Sequence, residues 1–175
     1  IGEKDSLMYD FIQSAAFPNF FGVAMPLVKY GLPIHPVQLD NVRRFAGYLE
    51  DYKCLVLSYE YMKPDAPDVN AAVVSWIREG GTLIYVGDGS DPFHKIDAWW
   101  GQRGYANPAE HLFELAGLGR DPKEGVHEVG AGKIVVWKEL PARICLSKEL
   151  ADQYRSLVQK TLADTGITWT YRNDL

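Results

Sequence analysis

Between Tyr59 and His94 the chain concentrates groups able to bind ligands or move protons. Tyr59-Glu60 closes one apolar run, and Asp88, Ser90, Asp91 and His94 follow another. Three carboxylates and an imidazole can do acid–base work when their surroundings separate their pKa values. The same oxygens can equally hold a divalent cation. Asp88, Asp91 and His94 are therefore the candidate catalytic groups, and Tyr59, Glu60, Asp88, Ser90, Asp91 and His94 the candidate ligand contacts. A structural role competes with both: in a tight turn Asp88 and Asp91 satisfy backbone amides, and Asp91-Pro92 starts a helix. Gly87-Asp88-Gly89 has neither the GxGxxG spacing nor the Gly-Lys-Ser/Thr of a phosphate loop, and its acids repel phosphate. Further on, Trp99 and Trp100, with Tyr105 nearby, offer flat apolar faces suited to a sugar ring. Adjacent helical residues face about 100° apart, so at most one of the two tryptophans enters the core. The other is partly exposed or buried in an interface, where Trp is enriched.

These groups need elements to bring them together. Gly80–Pro92 reads as a buried parallel strand, Leu83–Val86, with a loop at its carboxyl end, which is where open α/β sheets bind ligands. Lys53–Tyr59 reads as another buried strand. Between them Asp65-Ala66-Pro67 starts a helix whose apolar stripe is Val69, Val73, Trp76 and Ile77, ended by Gly80 or Gly81. Upstream, Ser6–Phe11 is expected as a first strand. A helix from Pro18-Asn19 to Gly31 is expected to be kinked at Pro26 or to start later than Asn19. Ile34–Leu39 is expected as a strand, and Asp40 as the cap of a short helix through Leu49. Downstream, Ile96, Trp99 and Trp100 belong to a helical tract, Asn107-Pro108 starts a helix with Leu112, Leu115 and Leu118 inward, and Gly125–Gly132 is a connection. Ile134–Trp137 and Arg143–Leu146 are expected as a hairpin-like edge pair. Ser147 caps a last helix carrying Leu150, Tyr154, Leu157, Val158 and Leu162, and Ile167–Tyr171 is expected as a short final strand. Strands and helices alternating at this spacing argue for an α/β fold: a flavodoxin-like three-layer sandwich with a mostly parallel sheet, helices on both faces and antiparallel late edge strands.

At 175 residues the chain suits a single domain, and 47% apolar with 23% charged residues is ordinary for a globular protein. The net charge of -5 and the lack of a Lys/Arg run argue against nucleic acid as a partner. No apolar run reaches the roughly 18 residues of a membrane span. Cys54 and Cys145 are expected as two buried thiols rather than a metal or redox pair. His35 and His111 have no partner in sequence and read as structural or surface residues. No metal ligand set and no cofactor is expected. The chain begins at Ile1 without a signal-peptide pattern and is expected to be a domain cut from a longer protein, so its compartment cannot be read.

Four stretches in order, YKCLVLSYE (52–60), WIREGGTLIYVGD (76–88), HLFELAGLG (111–119) and GAGKIVVW (130–137), resemble the class I glutamine-amidotransferase-like fold. More narrowly, they are similar to the trimerisation domain of bacterial beta-galactosidases and related domains of large carbohydrate-active proteins. The resemblance implies a flavodoxin-like sheet and a place inside a larger glycoside-processing protein, with its other domains or subunits as partners and carbohydrate as a candidate ligand. It also implies what is lacking. Catalytic amidotransferases carry a nucleophilic Cys on the turn after the central strand, where this chain has Gly87-Asp88-Gly89-Ser90. Their late His-x-Glu is matched here only by the adjacent pair His127-Glu128, which along a strand points two ways. The expectation is a non-catalytic module with an interdomain or oligomerisation role. The alternatives are a sugar- or metal-binding module at the strand ends, or a hydrolase using Asp88 or Asp91 with His94.

Overall fold

Thr82–Val86 is buried along its whole length, as a strand covered on both faces must be. A computed structural model describes residues 17–167 except Tyr61. Its four strands are β1 (Cys54–Leu57), β2 (Thr82–Val86), β3 (Gly125–Val129) and β4 (Gly132–Trp137), in the order β1-β2-β4-β3. β1 and β4 flank β2 in parallel, with Leu57 opposite Tyr85 and Tyr85 opposite Val136, while β3 is antiparallel to β4. The helices are α1 (Phe17–Phe21), α2 (Met25–Val28), α3 (Pro67–Arg78), α4 (Trp99–Gln102), α5 (Pro108–Ala116), α6 (Pro141–Leu146) and α7 (Lys148–Asp164). Successive side chains of β2 enter opposite cores. Leu83 and Tyr85 pack with Val73, Val74 and Ile77 of α3 and with Leu112 and Phe113 of α5. Ile84 and Val86 pack with Leu27 of α2, Ile144 of α6 and Tyr154 and Val158 of α7. The result is an α/β sandwich with helices on both faces of a mostly parallel sheet. Each fully buried aliphatic or aromatic side chain contributes about 1.5–3 kcal/mol.

The crossover from β1 to β2 follows its sequence signals. Pro67 occupies the first turn of α3, and Val69, Val73, Trp76 and Ile77 are all buried. The turn that ends α3 brings Gly81 under the Trp76 indole, where a Cβ would stand 2.4 Å from the ring. Only glycine fits that approach. Asn107 caps α5 by accepting from the Glu110 N–H at 3.0 Å, and Ser147 caps α7 by accepting from the Leu150 N–H at 3.3 Å.

Several expectations are corrected. Ile34–Leu39 is a loop: Pro36 lacks the N–H a ladder needs, and Ile34, His35 and Pro36 are exposed. Asp40 lies inside a single 3-10 turn, Leu39–Arg43, with Gln38 at its cap, and no helix runs on to Leu49. Gly47, at φ +69°, turns the chain instead. The Pro18–Gly31 helix is two short ones, with Pro26 in the first turn of α2. Ile96 stays outside any helix and is exposed. Gly125–Gly132 is mostly strand β3. Gly130, at φ +63°, and Ala131 form the two-residue hairpin loop into β4, with glycine where a type II′ turn wants it. Arg143–Leu146 is helical because Pro141 nucleates α6, so the hairpin partner of β4 precedes it. Of the two thiols, Cys145 is exposed on α6 and Cys54 is half-buried, both free. The Ser6–Phe11 strand, and all of the final strand but Ile167, lie outside the described residues. Among those described, no helix is long and apolar enough to cross a membrane.

Candidate functional site

The parallel register of β1 and β2 places their following loops side by side at the carboxyl edge of the sheet, and that brings Glu60 under the Gly87–Asp91 loop. The Glu60 side chain is fully buried. Its Oε1 accepts from the Gly89 N–H at 2.7 Å and its Oε2 from the Asp91 N–H at 3.1 Å. Gly87 leaves room for it: a Cβ there would stand 2.6 Å from Glu60 Oε1 and 3.2 Å from the Tyr85 hydroxyl. The loop is thus wrapped around an internal carboxylate. Burial, with Glu60 and Tyr59 beside it, pushes the Tyr85 phenol well above its ordinary pKa.

The remaining acids are also engaged. Asp91 is buried, forms an ion pair with Lys63, and accepts from the Phe93 N–H at 2.9 Å, capping the 3-10 turn Pro92–Lys95. Asp88 is exposed and accepts from the Ser90 N–H at 3.0 Å, closing an Asx turn. Ser90 is exposed. His94 is buried, with neither ring nitrogen hydrogen-bonded, and its Nε2 lies 3.7 Å from Glu60 Oε2. That separation is beyond a hydrogen bond. Among the described residues no three of His, Cys, Asp and Glu are grouped as metal ligands.

Tyr59 turns away from this cluster into the core, where its hydroxyl donates to Asn70 Oδ1 at 2.5 Å and burial raises its pKa. Trp100 is buried and donates its Nε1–H to the His94 carbonyl at 2.8 Å, whereas Trp99 is half-buried and donates to the Pro64 carbonyl at 2.9 Å. Their rings meet edge to face at 5.7 Å. A cavity of about 550 Å³ opens beside the loop, lined in part by Ser90, His94, Lys95, Tyr105 and Asn107. The structure therefore gathers Glu60, Asp91 and His94, leaves Asp88 and Ser90 at the rim, and sends Tyr59 elsewhere. His127 and Glu128 lie on β3, with His127 Nε2 2.7 Å from the Lys123 carbonyl.

No family model matches this chain. No curated protein and no solved structure matches it either.

Two residues escaped the sequence reading. Lys63 and Asn70, with His111, which read there as a structural or surface residue, complete the polar interior of this edge. Asn70 had a signal: it is a polar residue three, four and seven positions before Val73, Val74 and Ile77, on the buried face of α3. Lys63 had none, since its partner lies in another loop.

Proposed function

We propose that the chain is a non-catalytic amidotransferase-like module of a larger glycoside-processing protein, acting in subunit or interdomain packing. The observation that carries this reading is the internal capture of Glu60. The edge of the sheet that would hold a ligand is filled by the chain's own carboxylate, and Asp91 and Asp88 are spent on Lys63 and on backbone amides. Carboxylates so engaged stabilise a loop, and acid–base chemistry would first have to release them. The same loops expose large apolar side chains, Met62 and Phe93 at 60% and Ile96 at 50%. Such groups on one set of loops suit a protein interface. Sedimentation velocity across a wide concentration range, together with binding of a hydrophobic reporter dye, tests the reading. Self-association or dye binding through this edge is expected, and the double substitution Met62→Ser, Phe93→Ser should abolish it without lowering the Tm. A chain that neither associates nor binds dye, or whose association ignores the substitutions, overturns it.

A further inference from the structure

His111 is held as a hydrogen-bond donor that no described residue uses. Its partner Asn70 is fully buried. Its Oδ1 accepts from the Tyr59 hydroxyl, and its Nδ2 donates to the Pro108 carbonyl at 2.8 Å and meets His111 Nδ1 at 3.1 Å. An amide NH₂ has only protons to offer, so Nδ1 is the acceptor and the ring proton sits on Nε2. Burial, helped by the charge of Arg103, holds the imidazole below its ordinary pKa and so keeps it neutral. Nε2–H has no hydrogen-bond partner among the described residues, yet it is not a buried orphan atom: it reaches solvent.

Two aromatic rings flank it. Trp99 and Tyr105 each stand edge to face with the imidazole at 5.1 Å. Both are anchored by their own polar atoms, Trp99 through Nε1 to the Pro64 carbonyl and Tyr105 through its hydroxyl to Glu114 at 2.5 Å. The Arg120 guanidinium lies 4.6 Å over the Tyr105 ring. What these walls leave for a ligand is apolar ring surface and one fixed N–H. Tyr105, but neither Trp99 nor His111, also lines the cavity of about 550 Å³.

We propose that Trp99, Tyr105 and His111 form a carbohydrate subsite, in which a neutral pyranose lays a C–H face on the aromatic rings and a ring substituent oxygen accepts from His111 Nε2–H. Apolar walls with one placed donor suit a ligand that alternates C–H surface with oxygen. A neutral imidazole with its proton already on Nε2 positions such a ligand and does not act as a base there. This inference stands apart from the packing role above: a packing module can have or lack such a subsite.

Titration of the whole chain with methyl β-D-glucoside, methyl β-D-galactoside and N-acetylglucosamine tests it, with sodium acetate as the charged control. The readouts are the Trp99 indole N–H and His111 ring resonances. At least one glycoside should produce saturable shifts at both, weakened about tenfold or more in the His111→Leu and Tyr105→Leu variants. Tyr105 is only half-buried, so Tyr105→Leu keeps the test alive if His111→Leu fails to fold. No saturable shift with any of the three sugars, shifts undiminished in a folded Tyr105→Leu protein, or the same saturable response to acetate would each overturn the proposal.

Discussion

Replacing Gly87 by Ala probes the self-filled edge of the sheet directly. The φ of Gly87 is not positive, so the backbone tolerates alanine and the cost is purely one of space. The new methyl would stand 2.6 Å from Glu60 Oε1 and 3.1 Å from Glu60 Cγ, closer than carbon and these atoms can approach. Glu60 is fully buried, and its two oxygens are held by the Gly89 and Asp91 amides. Its carboxylate must leave at least one of the Gly89 and Asp91 amides. Hydrogen bonds to a charged group are worth about 1.5–3 kcal/mol each, and overpacking adds about 1–3 kcal/mol. Allowing for partial relaxation, Gly87→Ala should destabilise the fold by about 3–5 kcal/mol and lower the Tm by about 10 °C. Urea unfolding should show a lower midpoint with unchanged slope. A double-mutant cycle with Glu60→Ala isolates the cause: once the carboxylate is gone, Gly87→Ala should cost under about 1 kcal/mol. Equal costs in both backgrounds, or a loss under about 0.5 kcal/mol in the first, would refute the reasoning.

Two further expectations rest on titratable groups. His111 has its pKa lowered by burial, then by Arg103, so below the ordinary imidazole value near 6.5 the unfolded chain takes up a proton that the folded chain refuses. Stability should therefore fall as pH drops through that value, and the slope should be smaller in His111→Gln; an unchanged slope in that variant contradicts the assignment. The cysteines should separate in a thiol-labelling time course near pH 8. Cys145 is exposed and should react fast, whereas burial pushes the Cys54 thiol up to about 11 and should make it react many times more slowly. Equal rates would contradict the burial of Cys54.

The elements legible in the sequence were those whose burial is continuous. The Leu83–Val86 run and the Val69–Ile77 stripe announce a strand covered on both faces and the helix that covers it. Gly125–Val129 did not read as a strand because β3 lies at the sheet edge, where only Val129 of its five residues is buried. Arg143–Leu146 misled because its apolar residues look like a strand, but Ile144 alone reaches the core. For the site, the clustering of Glu60 with Asp91 was legible because both end parallel strands. That Glu60 is the hub of the loop was not. It depends on the space left by Gly87 and on amide directions that no spacing encodes. The fixed proton of His111 was hidden for a similar reason, since it is set by Asn70 across two helices.

Two backbone N–H groups converging on one carboxylate resemble the donors that proteins elsewhere aim at a free anion. Here the anion is tethered to the end of the neighbouring strand. Its effective concentration is therefore set by the fold, and an intramolecular partner outcompetes one that must be gathered from solution. Acetate, formate or phosphate in the surrounding medium would have to displace Glu60 from a buried position in order to reach these amides. The loop at the carboxyl edge of the sheet is for this reason expected to keep its shape whether or not such anions surround it.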